Sequence, residues 1–220
     1  MKKKEVEVKK NVYELAQERL RMIFKEFDNV YISFSGGKDS GVLLSLCIDY
    51  IRRNNLNVRI GVFHMDYEIQ YKMTIDYVDR MIEANKDIID VYRVCVPFRV
   101  ATCTSMYQSF WRPWEKGKKK LWVRPMPKDA MTEKDFPFYN TQMWDYEFQM
   151  RFAKWIHDKK DAVRTCCLIG IRTQESFNRW RCIYLNRKYQ MYHTYRWTSK
   201  VANDVYNAYP VSYTHLTLPT

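Results

Sequence analysis

The stretch that most restricts the fold is VYISFSGGKDSGVLL at residues 30–44. A short run of β-branched and aromatic residues stops at two glycines, meets a lysine and an aspartate, and resumes with helical apolar spacing. A buried strand that feeds straight into a helix through a glycine turn opens a βαβ unit. The rest of the chain repeats the rhythm. Residues 11–27 place Val12, Leu15, Ala16, Leu20, Ile23, Phe24 and Phe27 on one helical face. After the glycines, Val42, Leu43, Leu46, Cys47, Tyr50 and Ile51 mark a second helix that ends near RRNN. VRIGVFHM (58–65) predicts a second strand, 69–85 a helix, 91–96 a third strand, 141–159 a helix, and RTCCLIGI (164–171) a fourth strand. Strands alternating with helices predict an α/β fold with a layered, mainly parallel twisted sheet.

Residues 97–140 break the rhythm. They hold Pro97, Pro113, Pro125, Pro127 and Pro137, five of the chain's seven prolines, together with EKGKKK. This reads as a long, partly irregular insertion of the kind that forms lids and binding loops. The last ten residues, VSYTHLTLPT, carry no Lys, Arg, Asp or Glu, unlike the densely charged hundred before them. The expected domain therefore spans 1–210, with 211–220 a foreign or truncated end.

Lys and Arg number 37 against 25 Asp and Glu, a net charge of +12. Such an excess favours anionic partners, phosphorylated small molecules or nucleic acid, without choosing between them. No apolar run has the length of a membrane span, and MKKKEVEVKK lacks the apolar stretch of a secretory signal. No membrane partner and a cytoplasmic location are expected. The six cysteines, Cys47, Cys95, Cys103, Cys166, Cys167 and Cys182, include no C-x-x-C pair and read as reduced core thiols.

SGGKDS falls at the carboxyl end of the first predicted strand. Gly36 and Gly37 let backbone amides come close to a ligand. The following helix aims its first amides and positive dipole end at the same point. Lys38 adds a full charge, and Ser33, Ser35 and Ser40 supply hydroxyls, which together make a phosphate or sulfate cradle. An ordinary tight turn with Asp39 as helix cap accounts for one glycine and the aspartate. It explains neither the second glycine nor the lysine.

In this setting SGGKDS resembles the pyrophosphate-binding loop (PP-loop) of the adenine nucleotide alpha-hydrolase superfamily. That superfamily includes ATP pyrophosphatases and phosphoadenosine phosphosulfate (PAPS) reductases. VFHMDYEIQ (62–70) resembles the reductase-type second strand, which implies Asp66 near the ribose or a metal-bound phosphate. Tyr67 and Glu68 stand where Thr-Gly is usual. GIRTQESFNRW (170–180) resembles the segment Gly-x-Arg-x-x-(Glu/Gln)-Ser-x-x-Arg that follows the fourth strand. It implies close backbone approach at Gly170 and phosphate or sulfate contacts from Arg172 and Arg179. It also implies Glu175 holding Arg172, and Ser176 capping the next helix. The similarity runs over about 30–209, and LWVRPMP in the insertion places the chain nearest the PAPS reductase-like group. The resemblance implies a Rossmann-like three-layer sandwich that binds ATP or PAPS, with Mg²⁺ if ATP.

Three functions share such a loop. In the preferred reading, ATP is attacked at its α-phosphate with pyrophosphate release, using Lys38, Asp39 and Arg172, with Asp39 also the candidate Mg²⁺ ligand. Sulfonucleotide reduction needs a mobile cysteine, carried in authentic reductases on a Glu-Cys-Gly-Leu-His-like tail. That tail is absent from this sequence, whose last cysteine is Cys182. The third reading is a nucleic-acid-associated or defence module that uses the nucleotide site as a sensor. Residues 111–134 hold eight Lys or Arg against three acids, and 172–200 hold seven against one. Phe177, Trp180, Tyr184, Tyr189, Tyr192, Tyr195 and Trp197 interleave with the second of these, a mixture suited to single strands.

Overall fold

A computed structural model describes residues 10–102, 106–172, 176–177, 179 and 190–211. Helix α1 (Val12–Glu26) opens with a capping box: Asn11 accepts from the Glu14 amide and Glu14 from the Asn11 amide, both at 3.0 Å. Then come β1 (Asn29–Ser33), α2 (Lys38–Arg53), β2 (Ile60–Met65), α3 (Lys72–Ala84) and β3 (Ile89–Val94). The insertion contributes β4 (Val100–Ala101), β5 (Phe110–Trp111) and β6 (Ala130–Met131). The chain continues through α4 (Asp145–Lys159) and β7 (Thr165–Ile169) into β8 (Thr198–Ala202) and β9 (Val205–Ala208).

Among the described residues seven strands form one sheet in the order β6-β3-β2-β1-β7-β9-β8, parallel throughout except for β8. The α/β, mainly parallel architecture expected from the sequence is therefore present. Alternation along β1 explains the layering. Val30 and Ile32 pack with Leu20 and Ile23 of α1 and Leu43 and Leu44 of α2. Tyr31 faces the other way, into a cluster with Phe63 and with Phe148, Phe152 and Ile156 of α4.

Three features differ from the sequence reading. The helix expected from residue 69 starts at Lys72. Before it the chain turns sharply, with Glu68 at φ +67 and the Ile69 amide donating to the Tyr67 carbonyl at 2.7 Å. The insertion is not separate from the sheet, because β6 extends it beside β3. The β8–β9 hairpin, unforeseen in the sequence, completes the other edge.

The connectivity creates a switch point. From β1 the chain moves one way through β2 and β3, and only after α4 does it return to β1's other side as β7. Ligands of open α/β sheets bind at such points, outside the carboxyl ends of the strands. Ser33 pairs with Ile169, so the glycine loop and the segment beginning at Gly170 leave the sheet side by side.

Candidate functional site

The loop after β1 is braced from within. Gly36 has φ +78, a conformation that favours glycine, and a Cβ there would lie 2.8 Å from Thr74 Cγ2 and Val78 Cγ2 of α3. The Ser40 hydroxyl donates to the Gly37 carbonyl at 3.0 Å, which leaves Ser35 to donate across the 3.0 Å to Ser40 Oγ. Ser35 Oγ in turn accepts from the Gly37 amide at 3.3 Å. These two hydroxyls hold the loop's shape. Gly37 occupies the N-cap of α2 with no side-chain cap bond, so the helix keeps first-turn amides for an anion. Asp39 is not the cap. It lies inside the first turn, next to the exposed Lys38.

The segment after β7 closes on this turn. A Cβ on Gly170 would sit 2.8 Å from the Asp39 carbonyl oxygen and 2.9 Å from the Ser40 nitrogen. That approach brings Arg172 Nε to 3.4 Å from Asp39 Oδ1, with side-chain exposures of 42% and 25%. Two of the expected residues, 133 positions apart in the chain (172 − 39), thus form a pair beside Lys38. Ser176 accepts from the Arg179 amide at 3.2 Å, as an N-cap would, and Arg179 is exposed. Glu175, the expected partner of Arg172, lies outside the described residues.

Ser33 and Asp66 stand apart from that group. Ser33 shares the face of Tyr31 and lines a cavity of about 250 Å³ beneath α4 with Phe63, Cys167 and Asn207. Asp66 is fully buried. Its Oδ1 accepts from the Glu68 amide at 2.9 Å and pairs with Arg124 of the insertion. Glu68 reinforces the link: its carboxylate accepts the amides of Trp114 at 2.6 Å and Val123 at 3.1 Å. Trp114 donates its indole N–H to the Asp66 carbonyl at 2.7 Å. Sequence reasoning missed Glu68, Trp114 and Arg124 as partners of Asp66. The departure from Thr-Gly at 67–68 was the one local signal of them.

His64, buried two residues before Asp66, donates from Nδ1 to the Phe34 carbonyl at 2.7 Å. Burial pushes its pKa down, against the opposing pull of that carbonyl and of Asp66. Cys47, Cys95, Cys166 and Cys167 are buried free thiols, and burial pushes each one up, Cys167 to about 12. Cys103 and Cys182 lie outside the described residues. Among the described residues no group of three or more His, Cys, Asp or Glu is placed to hold a metal, and no helix is long and apolar enough to cross a membrane.

The family model described as "Phosphoadenosine phosphosulfate reductase domain" matches residues 29–213. The uncharacterized protein YbdN of Escherichia coli (strain K12) is 36% identical over 191 residues, covering 86% of this chain and 45% of that protein. The chain thus spans less than half the length of this curated relative. A crystal structure of phosphoadenylyl-sulfate (PAPS) reductase from Candida auris, in a phosphate complex, aligns with a TM-score of 0.42 at 13% identity. That alignment covers 94% of this chain and 74% of the other.

Proposed function

The chain belongs to the phosphoadenosine phosphosulfate reductase domain family, and from that premise we propose that it binds ATP at the switch point and cleaves it between the α- and β-phosphates. The observation that carries this reading is the contact of the Gly170 segment with the first turn of α2. It gathers Lys38, Asp39, Arg172 and the helix amides at one place.

An acceptor's nucleophilic atom attacks the α-phosphorus. The bond to the bridging oxygen breaks, its electron pair departs with pyrophosphate, and the acceptor keeps the adenylyl group. Lys38 and the α2 amides stabilise the charge that gathers on the leaving pyrophosphate, where fixed donors act most strongly. Arg172 steadies a phosphate through its planar fork. Mg²⁺ in nucleotide sites is held by one or two carboxylates plus phosphate oxygens. Asp39, a quarter exposed beside the loop, suits that mode. Bound there, the ion would neutralise charge on the phosphate oxygens.

Sulfonucleotide reduction fits less well. It needs a thiolate, and the four described cysteines are buried with raised pKa values. The test is incubation with ATP-Mg²⁺ or PAPS, with pyrophosphate and sulfite release followed in parallel. Pyrophosphate from ATP is expected, and sulfite release without it would sink the reading. Lys38→Ala should weaken ATP binding about tenfold or more, since a charge-assisted contact is worth about 1.5–3 kcal/mol. It should leave the melting temperature unchanged, because Lys38 is exposed.

A further inference from the structure

The insertion carries a second pocket, of about 210 Å³, lined by Phe110, Trp111, Arg112, Lys118 and Trp122, with Glu68 in its wall. Its frame is built rather than incidental. The Glu68 carboxylate holds two insertion amides, and Arg124 and the Trp114 indole are fastened to Asp66. The three rings are only half-buried. The Arg112 guanidinium lies 4.9 Å from the Phe110 ring centroid and donates to the Thr141 carbonyl at 3.0 Å, while its buried Nε has no hydrogen-bond partner among the described residues.

Charge is divided between the pocket and its rim. In the lining Glu68 and Glu115 are balanced by Arg112 and Lys118, so the interior carries no net formal charge and suits a flat, neutral ring. In the turn at Lys116–Leu121, Lys116 pairs with Glu133 and Lys118 with Glu115 at 2.9 Å. Lys119 and Lys120 are exposed, with no carboxylate partner among the described residues. Leu121, 76% exposed, and Val123, 68% exposed, extend the rim with apolar surface.

We propose that the insertion binds single-stranded nucleic acid, one unstacked base entering the pocket while Lys119 and Lys120 hold flanking phosphates. Aromatic faces with neighbouring cations are the ordinary means of gripping single strands. A duplex supplies one only at the cost of unstacking and unpairing it. The inference deepens the reading of the glycine-loop site by naming the class of partner presented to it. Glu68 ties the pocket to the carboxyl end of β2, the sheet edge from which the loop also leaves.

The experiment is fluorescence anisotropy of the full chain with short labelled single-stranded DNA and the matching duplex, without ATP. A failure here is therefore separate from a failure to release pyrophosphate. Single strands should bind more tightly than duplex, with affinity falling steeply as salt rises. Lys119→Gln with Lys120→Gln should flatten the salt slope by about 1.4, at roughly 0.7 per phosphate contact. Trp111→Ala should weaken binding about fivefold or more, and Trp111→Phe should restore most of it. Equal affinity for duplex, a flat salt response, an unaffected Trp111→Ala, or competition by polyglutamate as effective as by oligonucleotide would each overturn the proposal.

Discussion

At Gly170 one backbone rests on another. The atoms an added methyl would meet are the Asp39 carbonyl and the Ser40 nitrogen, neither of which can rotate aside. Gly170→Ala should therefore force the loops apart. The expected outcome is a loss of about 1–3 kcal/mol in thermal unfolding, typical of overpacking, together with weaker ATP binding by calorimetry. Unchanged affinity would mean that the two loops act independently. Arg172 poses the opposite case. Its pair with Asp39 is partly exposed, so its contribution to stability is at most about 1 kcal/mol. Arg172→Ala should hardly move the melting temperature, yet weaken ATP far more than adenosine. Equal losses for the two ligands would remove Arg172 from the phosphate end.

Strand β2 carries a buried titratable group at its end, His64, and its pH behaviour follows from its surroundings. Burial, with the nearby charges of Arg93 and Arg124, holds its pKa below 6.5, while the Phe34 carbonyl and Asp66 oppose that shift. The folded chain thus binds the proton less readily than the unfolded chain. Stability from this source is complete above 6.5 and is lost as the pH falls toward the folded value. Urea midpoints should decline over that acidic window. In His64→Asn, whose amide can still donate to Phe34, the decline should be shallower. An identical profile in the variant would place the acid sensitivity elsewhere.

For the molecule as a whole, the question is whether the insertion unfolds with the core. Buried charge argues that it does. Arg93 of β3, 4% exposed, reaches Asp79 of α3 at 2.5 Å and Asp129 of the insertion at 3.2 Å. Arg124 neutralises Asp66, which is fully buried. Removing one partner of a buried pair leaves an uncompensated charge and costs about 3–5 kcal/mol. Arg124→Ala should therefore shift a single urea transition to lower denaturant. Two separate transitions would show that the insertion melts on its own.

The glycine loop, α1, α2 and the strands β1, β2, β3 and β7 were legible in the residues because their signals are local. Apolar period, β-branched runs and turn glycines are consequences of covalent geometry within a few residues. The two-residue strand β6 is too short for any period to show. Alternation along β1 puts Ser33 on the same face as Tyr31, in the cavity beneath α4. The bond between Asp66 and Arg124 spans 58 residues, and no local pattern records it. The same holds for the meeting of Gly170 with Asp39. The residues thus determined that a glycine turn with a lysine sits between a strand and a helix. Tertiary structure decided which distant segments close around it and which carboxylate turns inward, because a buried charge or a backbone contact finds its partner only when the whole chain has packed.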